Sequence, residues 1–169
     1  MTTALGTRDS VDALVEHVDR ATTDVFAMML GREVQIDATD DDVLEVPGLV
    51  ATLDITGDAP GSIAVLIGNP DARRLTAAML GEPPSNDTAD VGVSDDVRDA
   101  VGELGNLIVG RAKVIASDDQ PFEMSLPRVT DAVASRPQWS SSTAIRTLHA
   151  VADDITFAIR IAVRPAPTA

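Results

Sequence analysis

The chain has 169 residues, with 27 acidic and 13 basic side chains and a formal net charge of -14 at pH 7. Its length suits one domain with a substantial core, and the acidic balance argues against nucleic acid or an anionic membrane as partner. The absence of cysteine excludes disulfides, thiolate metal sites and cysteine nucleophiles.

Residues 1–9 are predicted to be a disordered tail, followed by one domain over residues 10–165. The tail lacks the apolar run of a secretory signal, and no apolar run in the chain is long enough to span a bilayer. We therefore expect a cytoplasmic protein. Ser10 is a candidate N-cap for a helix whose apolar residues recur with helical period up to Gly31.

Alternating apolar and polar residues predict two β-hairpins. The first joins 49–55 to 63–67, and the second joins Arg146–Ala152 to 155–163 through a turn at Asp153-Asp154. The last strand is long and carries few charges, so we expect it to be central or paired across an interface. A short helix is predicted between Asn69 and Gly81.

The remaining segments are predicted to be short strands and polar loops. A strand is expected at 33–37, an acidic loop at 40–42 and a polar connector at 81–90. Another strand is predicted at 122–126, ended by Pro127, with a Ser-rich loop to follow.

A helix is predicted from Ser94, a strong N-cap, to about Ile115. It contains three glycines, each costing about 0.5–1 kcal/mol relative to alanine within a helix. Asp95 and Asp96 fall in its first turn, where the helix dipole favours negative charge.

Four residues of this helix are expected to share one face, because they are spaced by four, three and four positions. They are Asp99, Glu103, Asn106 and Gly110. A carboxylate and a carboxamide one turn apart, bordered by glycines, indicate a site offered to a partner. A solvated face with a tight helix–helix contact explains the pattern equally well.

The predicted fold class is α+β. We expect a single domain in which an antiparallel β-sheet is covered by two long helices and a shorter one. A weak internal pseudo-repeat appears when Gly31 is aligned with Gly110, which places Asp24 on Glu103. Ala27 then falls on Asn106, so only the second half keeps the carboxylate–amide pair.

These residues resemble the CheC/CheX family of chemotaxis phosphatases, whose motif is Asp or Ser, Glu four residues later and Asn three beyond. Asp99, Glu103 and Asn106 match it. The end of the first helix, residues 23–31, is also similar to the family's opening segment, and the single Glu–Asn pair favours a CheX-like chain. The family places a proline downstream of the Asn, and Pro127 is the candidate, at a slightly shorter spacing.

The resemblance implies hydrolysis of the aspartyl phosphate on a CheY-like response regulator. Asn106 would position the attacking water, and Glu103 would dock on the regulator's active-site lysine. Asp99, Gly102, Gly105 and Gly110 are then expected to border the partner-binding surface. The chain itself is expected to bind no cofactor, since Mg²⁺ would be held by the regulator. The resemblance also implies a homodimer.

An alternative is a non-catalytic adaptor that binds a response regulator or a flagellar switch component with the same surface. Other enzyme classes find little support in the sequence. His17 and His149 have no neighbouring residues at metal-ligand spacing. Ser140-Ser141-Ser142 lacks the Gly-x-Ser-x-Gly elbow of serine hydrolases.

Overall fold

The computed structural model describes residues 6–39, 48–83, 92–132 and 142–165. The predicted acidic loop, Trp139 and most of the 81–90 connector lie outside these residues. The described helices are α1 (Thr7–Leu30), α2 (Asn69–Leu80) and α3 (Asp95–Ile115), and a 3₁₀ turn (Ala116–Asp118) follows α3. The strands are β1 (Gln35–Thr39), β2 (Gly48–Gly57), β3 (Gly61–Gly68), β4 (Phe122–Met124), β5 (Arg128–Asp131), β6 (Ala144–Ala152) and β7 (Ile155–Val163).

The strands form one antiparallel sheet in the order β1-β6-β7-β3-β2-β4, with β5 also pairing with β2. The hairpins β2–β3 and β6–β7 meet at the centre, where β3 pairs with β7. The short strand after α1 pairs with the second hairpin, and the short strands after α3 pair with the first. Each half thus completes the sheet of the other, in agreement with the predicted pseudo-repeat.

The core lies between the sheet and the three helices. Strand residues of one parity are fully buried, among them Leu53 in β2, Ile63 in β3 and Ile159 in β7. Because side chains alternate across a strand, these residues all lie on one face of the sheet. The helices α1 and α3 each contribute an apolar stripe to that face. This arrangement confirms the predicted α+β class, with two long helices and one short helix over an antiparallel sheet.

The strand β7 is central, since it pairs with β6 on one side and β3 on the other. This position decides between the two alternatives for the last strand. Its apolar, weakly charged sequence is explained by burial within the sheet, and no contact between copies is needed to cover it.

The helix α1 begins three residues before the predicted N-cap. Gly6 occupies the N-cap, and Ser10 is a buried residue inside the helix. The side chain of the buried Gln120 donates from Nε2 to the Ser10 carbonyl oxygen at 3.2 Å. Capping preferences alone place residues 7–9 outside the helix. The contact with Gln120, which is distant in sequence, holds this first turn of α1 in place. Likewise, β1 starts at Gln35, two residues later than predicted, because its register is set by pairing with β6.

The segment after Pro127 was predicted as loop, and this is wrong for Arg128–Asp131, which form β5. Together, β4 and β5 form one edge strand along β2 that is interrupted at Ser125–Pro127. Proline lacks an N–H donor and is tolerated at an edge or a bulge. Pairing with β2 resumes beyond it.

Candidate functional site

The helix α3 packs on the sheet and has well-defined ends. Its N-terminus is capped as predicted, with Ser94 Oγ accepting a hydrogen bond from the Val97 N–H at 3.4 Å. Asp95 and Asp96 lie in the first turn, and Lys113 lies in the last. All three charges complement the helix dipole.

Gly105 and Gly102 lie on the buried side of α3. A Cβ at Gly105 would stand 3.1 Å from Leu53 Cδ1 and 3.5 Å from Ala51 Cβ. A Cβ at Gly102 would stand 3.2 Å from Val129 Cγ2. These two glycines let α3 approach the sheet closely, so the expectation that they border the partner surface is corrected: they pack inside the domain.

The adjoining face of α3 presents the polar pair. Asp99 and Glu103 are exposed, while Asn106 and Gly110 are half-buried. Their spacing in an observed helix places the four residues on one face. Within the described part of the chain, neither the Glu103 carboxylate nor the Asn106 amide has a hydrogen-bond or ion-pair partner. No other described residue therefore occupies either group.

The edge strand β4–β5 runs alongside α3, and contacts tie the two at four levels. Arg98 Nη2 donates to Asp131 Oδ1 at 2.8 Å, and Lys113 forms an ion pair with Glu123. Between these ends, Gly102 faces Val129 and Pro127, and a Cβ at Gly110 would stand 4.0 Å from Met124 Sδ.

Asn106 lies one helical turn from each of the two glycines in this series, so it falls beside Ser125–Pro127. Pro127, whose role the sequence left open, contacts α3 at Gly102, directly before Glu103. The sequence-based prediction ends the strand at this proline. It therefore missed β5 and the contact of the edge strand with α3 beside Asn106. The available signal was a proline just after a short apolar strand, which is typical of a bulged edge strand.

The matching face of α1 carries no such pair. Ala27 takes the place of Asn106 and is exposed. Asp24, which aligns with Glu103, accepts hydrogen bonds at Oδ2 from Arg111 Nε at 2.9 Å and Nη2 at 2.7 Å. Its carboxylate is thus occupied by a contact within the domain.

The other candidate features among the described residues give no second site. In the described residues, no group of three or more His, Asp or Glu side chains is placed to hold a metal ion. His17 lies 3.2 Å from Asp119, from Nε2 to Oδ2. Asp153 and Asp154 face Arg32. None of the helices within the described ranges has the length and apolar character needed to cross a membrane.

Known structures share this fold. A CheX from Desulfovibrio desulfuricans matches with a TM-score of 0.70 at 24% identity, over 89% of this chain and 99% of its own. FliY from Thermotoga maritima matches with a TM-score of 0.70 at 15% identity, over 95% of this chain and 92% of its own. The CheX–CheY–BeF3–Mg complex of Borrelia burgdorferi matches with a TM-score of 0.67 at 16% identity, over 90% and 98%.

Among curated proteins, none is similar enough to this chain to count as a relative by sequence. The family model for the chemotaxis phosphatase CheX, however, matches residues 49–144. This match covers more than half of the chain, including β2, β3, α2 and all of α3 with the Glu103–Asn106 face. The chain belongs to the CheX family of chemotaxis phosphatases.

Proposed function

We propose that this protein hydrolyses the aspartyl phosphate of a CheY-like response regulator in the cytoplasm. The observation that carries the proposal is the face of α3, where Glu103 and Asn106 lie one turn apart without a partner in the described residues. Membership of the CheX family supports it. So does the likeness to a CheX that was solved in complex with CheY, BeF3 and Mg.

The proposed chemistry needs few groups from this chain. An acyl phosphate is intrinsically reactive, and the regulator would contribute its own lysine and Mg²⁺ to the phosphoryl oxygens. The remaining task is to hold one water in line with the phosphorus atom. The Asn106 amide can do this with one donor and one acceptor, since positioning rather than strong basicity is required.

Glu103 is proposed to pair with the regulator's lysine and so to set the register of docking. It is the more exposed member of the pair, as a group that reaches into a partner must be. Asp99 lies one turn earlier at the exposed rim, where we propose an electrostatic contact with the partner. Gly110 completes the face on the other side of Asn106.

A second candidate function is a non-catalytic adaptor for a regulator or a flagellar switch component. The first half of the domain favours it, because Ala27 shows that the scaffold tolerates the loss of the amide. The shared fold with FliY is compatible with this role. The retained Glu103–Asn106 pair favours the phosphatase.

A homodimer remains part of the proposal, taken from the resemblance to CheX. Sedimentation of the full chain at high micromolar concentration tests it. A monomer under these conditions would remove the expectation, without effect on the proposed chemistry of the α3 face.

The decisive experiment follows the decay of a phosphorylated CheY-like regulator with catalytic amounts of the protein. We expect Asn106→Ala to retain binding and to lower kcat by about a hundredfold or more, since the water loses its positioning group. Glu103→Ala should weaken docking and turnover together, because it removes the contact to the lysine.

Glu16→Ala provides the control for Glu103→Ala. It removes an exposed glutamate from α1 and changes the net charge by the same amount. Wild-type decay rates with Asn106→Ala would contradict the proposed role of Asn106. Binding of the phosphorylated regulator without any acceleration of its decay by the wild-type protein would indicate the adaptor.

A further inference from the structure

The edge strand β4–β5 contains a one-residue bulge next to the proposed site. Met124 pairs with Ile55, and Arg128 pairs with Thr52. Two residues of β2 lie between these pairs, whereas the edge strand has three, Ser125–Pro127. A bulge of this kind redirects the side chains at its centre and is frequent beside active sites.

The bulge presents Leu126 to solvent. Its side chain is 83% exposed, the largest value among the large hydrophobic residues of the described segments. A single exposed leucine is ordinary on a protein surface. Leu126 differs in two respects, because hydrogen bonds hold its backbone and because it belongs to the segment between the α3 contacts at Gly102 and Gly110.

Hydrogen bonds on the N-terminal side of the bulge fix its backbone. The Ser125 N–H donates to the Asp54 carbonyl oxygen at 2.9 Å, and the Asp54 N–H donates to Ser125 Oγ at 2.9 Å. Ser125 Oγ in turn donates to the Leu126 carbonyl oxygen at 3.0 Å. The backbone of the bulge therefore has little conformational freedom left to lose when Leu126 is covered, which favours binding.

On the C-terminal side, Pro127 packs against α3 at Gly102. The contacts between α3 and the edge strand place Asn106 beside this same segment. The exposed leucine and the free amide therefore border one surface, formed by the α3 face on one side and the bulge on the other.

Charges around Leu126 are neutralised within the domain. Arg128 Nη1 donates to Asp54 Oδ2 at 2.9 Å, and Lys113 pairs with Glu123. Asp99 and Glu103, in contrast, have no ion pair within the described ranges. Among the described residues, the surface thus combines two carboxylates without an ion pair with an exposed leucine whose charged neighbours are paired. A partner that presents a lysine beside an apolar patch would complement both parts.

We propose that Leu126 is a second docking contact for the phosphorylated response regulator and covers an apolar patch next to the regulator's active-site lysine. This inference rests on the proposed function. It assigns to the bulge a part in affinity and partner choice, while Glu103 keeps its proposed contact with the lysine and Asn106 positions the water. Leu126 is a specificity-determining residue in this scheme and touches no reacting atom.

The test compares Leu126→Ala with Met28→Ala in the full chain. Met28 is 82% exposed on α1, outside the α3 face, and so matches Leu126 in exposure. Titration with the BeF3- and Mg²⁺-loaded regulator gives Kd, and dephosphorylation kinetics give KM and kcat. We expect Leu126→Ala to raise Kd and KM about tenfold, equivalent to about 1.4 kcal/mol of binding, with kcat within about twofold of wild type.

Met28→Ala should leave all three constants unchanged, and Leu126→Met should restore most of the affinity. Unchanged Kd and KM in Leu126→Ala would overturn the inference and leave the proposed function intact, provided Asn106→Ala is still defective. A loss of kcat at constant KM would also overturn it, because Leu126 would then act on the reaction geometry.

Two further outcomes are informative. If Leu126→Ala turns a dimer into a monomer in sedimentation and the regulator's affinity is unchanged, Leu126 serves a contact between copies and the inference is wrong. If the wild-type protein neither binds nor dephosphorylates the phosphorylated regulator, the proposed function and the inference are overturned together.

Discussion

Helices α1 and α3 hold matching places in the two halves of the domain but meet the sheet differently. At the position that aligns with Gly105, α1 has Phe26, which is fully buried and stacks on Phe157 with ring centroids 5.2 Å apart. At the same level, α3 has no side chain and approaches Leu53 and Ala51 directly. One helix is anchored by an aromatic ring, and the other by close backbone approach.

The outward faces of α1 and α3 also differ, in whether their polar groups have partners. Asp24 of α1 is occupied by Arg111, and its neighbour Ala27 offers no polar group. Glu103 and Asn106 of α3 have no such partner among the described residues. In α3, glycines lower the intrinsic helix stability by about 0.5–1 kcal/mol each. The half that keeps unpaired polar groups is thus also the half built from less favourable helix residues, a combination typical of functional sites.

The largest effect is expected from Phe26→Ala, which removes the aromatic anchor of α1. The change leaves a cavity against Phe157 and should lower the free energy of unfolding by about 3–5 kcal/mol. For a domain of this size, the melting temperature falls by about 6–20 °C. Thermal and denaturant unfolding measure both. Met28→Ala, on the exposed side of the same helix, should stay within about 0.5 kcal/mol of wild type.

An intermediate effect is expected from Gly105→Val, which adds a side chain at the position where α1 has Phe26 and α3 has none. The new methyl groups meet Leu53 and Ala51, and the overpacking should cost about 1–3 kcal/mol of stability. Since α3 has to shift away from the sheet, turnover should fall as well. Unfolding curves and dephosphorylation rates of the same preparation separate the two effects.

Gly110→Ala is the matched control for this change. Its Cβ would meet only Met124 Sδ at 4.0 Å, so alanine fits and should raise stability by about 0.5–1 kcal/mol through helix propensity. Equal stability losses at both glycines would show that α3 does not depend on close approach at Gly105. Lower regulator affinity in Gly110→Ala would support the expected contact between Gly110 and the partner.

The smallest effect on stability is expected from removing the Asp24–Arg111 ion pair. This pair is what distinguishes the carboxylate of Asp24 in α1 from that of Glu103 in α3. Both side chains are partly exposed, at 30% and 40%, so solvent screening limits the pair to about 1 kcal/mol or less. A double-mutant cycle with Asp24→Asn and Arg111→Gln measures the coupling, which should weaken as salt is added. A coupling of zero would mean that this carboxylate is energetically as free as Glu103.

Much of the fold was predictable from local patterns. The hairpins were found because alternation reports one buried face, and their turns carry Gly, Pro and Asp. The ends of α2 and the start of α3 were also predictable. Asn69-Pro70 begins α2, Gly81 ends it with a φ of 67°, and Ser94 caps α3. The pair Glu103–Asn106 was found for a related reason, since helical spacing alone places the two on one face.

Elements that depend on a distant partner were misplaced. The first turn of α1 is fixed by Gln120, and β5 exists only because β2 pairs with it. The roles of Gly102 and Gly105 were also misassigned. Helical spacing already places Gly105 with the apolar residues Val101 and Ile108. Gly102 lies one turn before Asn106, and only the packed edge strand shows that it faces inward.

The sequence by itself determined the α+β class, the two hairpins, the pseudo-repeat and the polar pair on α3. Each of these depends on residues close together in the chain, whose periodicity and capping have direct physical consequences. Only the tertiary structure decided that β7 is central, that Pro127 meets α3 at Gly102, and that Leu126 is exposed at a bulge of the edge strand. These facts follow from strand order and from a bulge, which are set by long-range pairing and burial and leave little trace in local sequence.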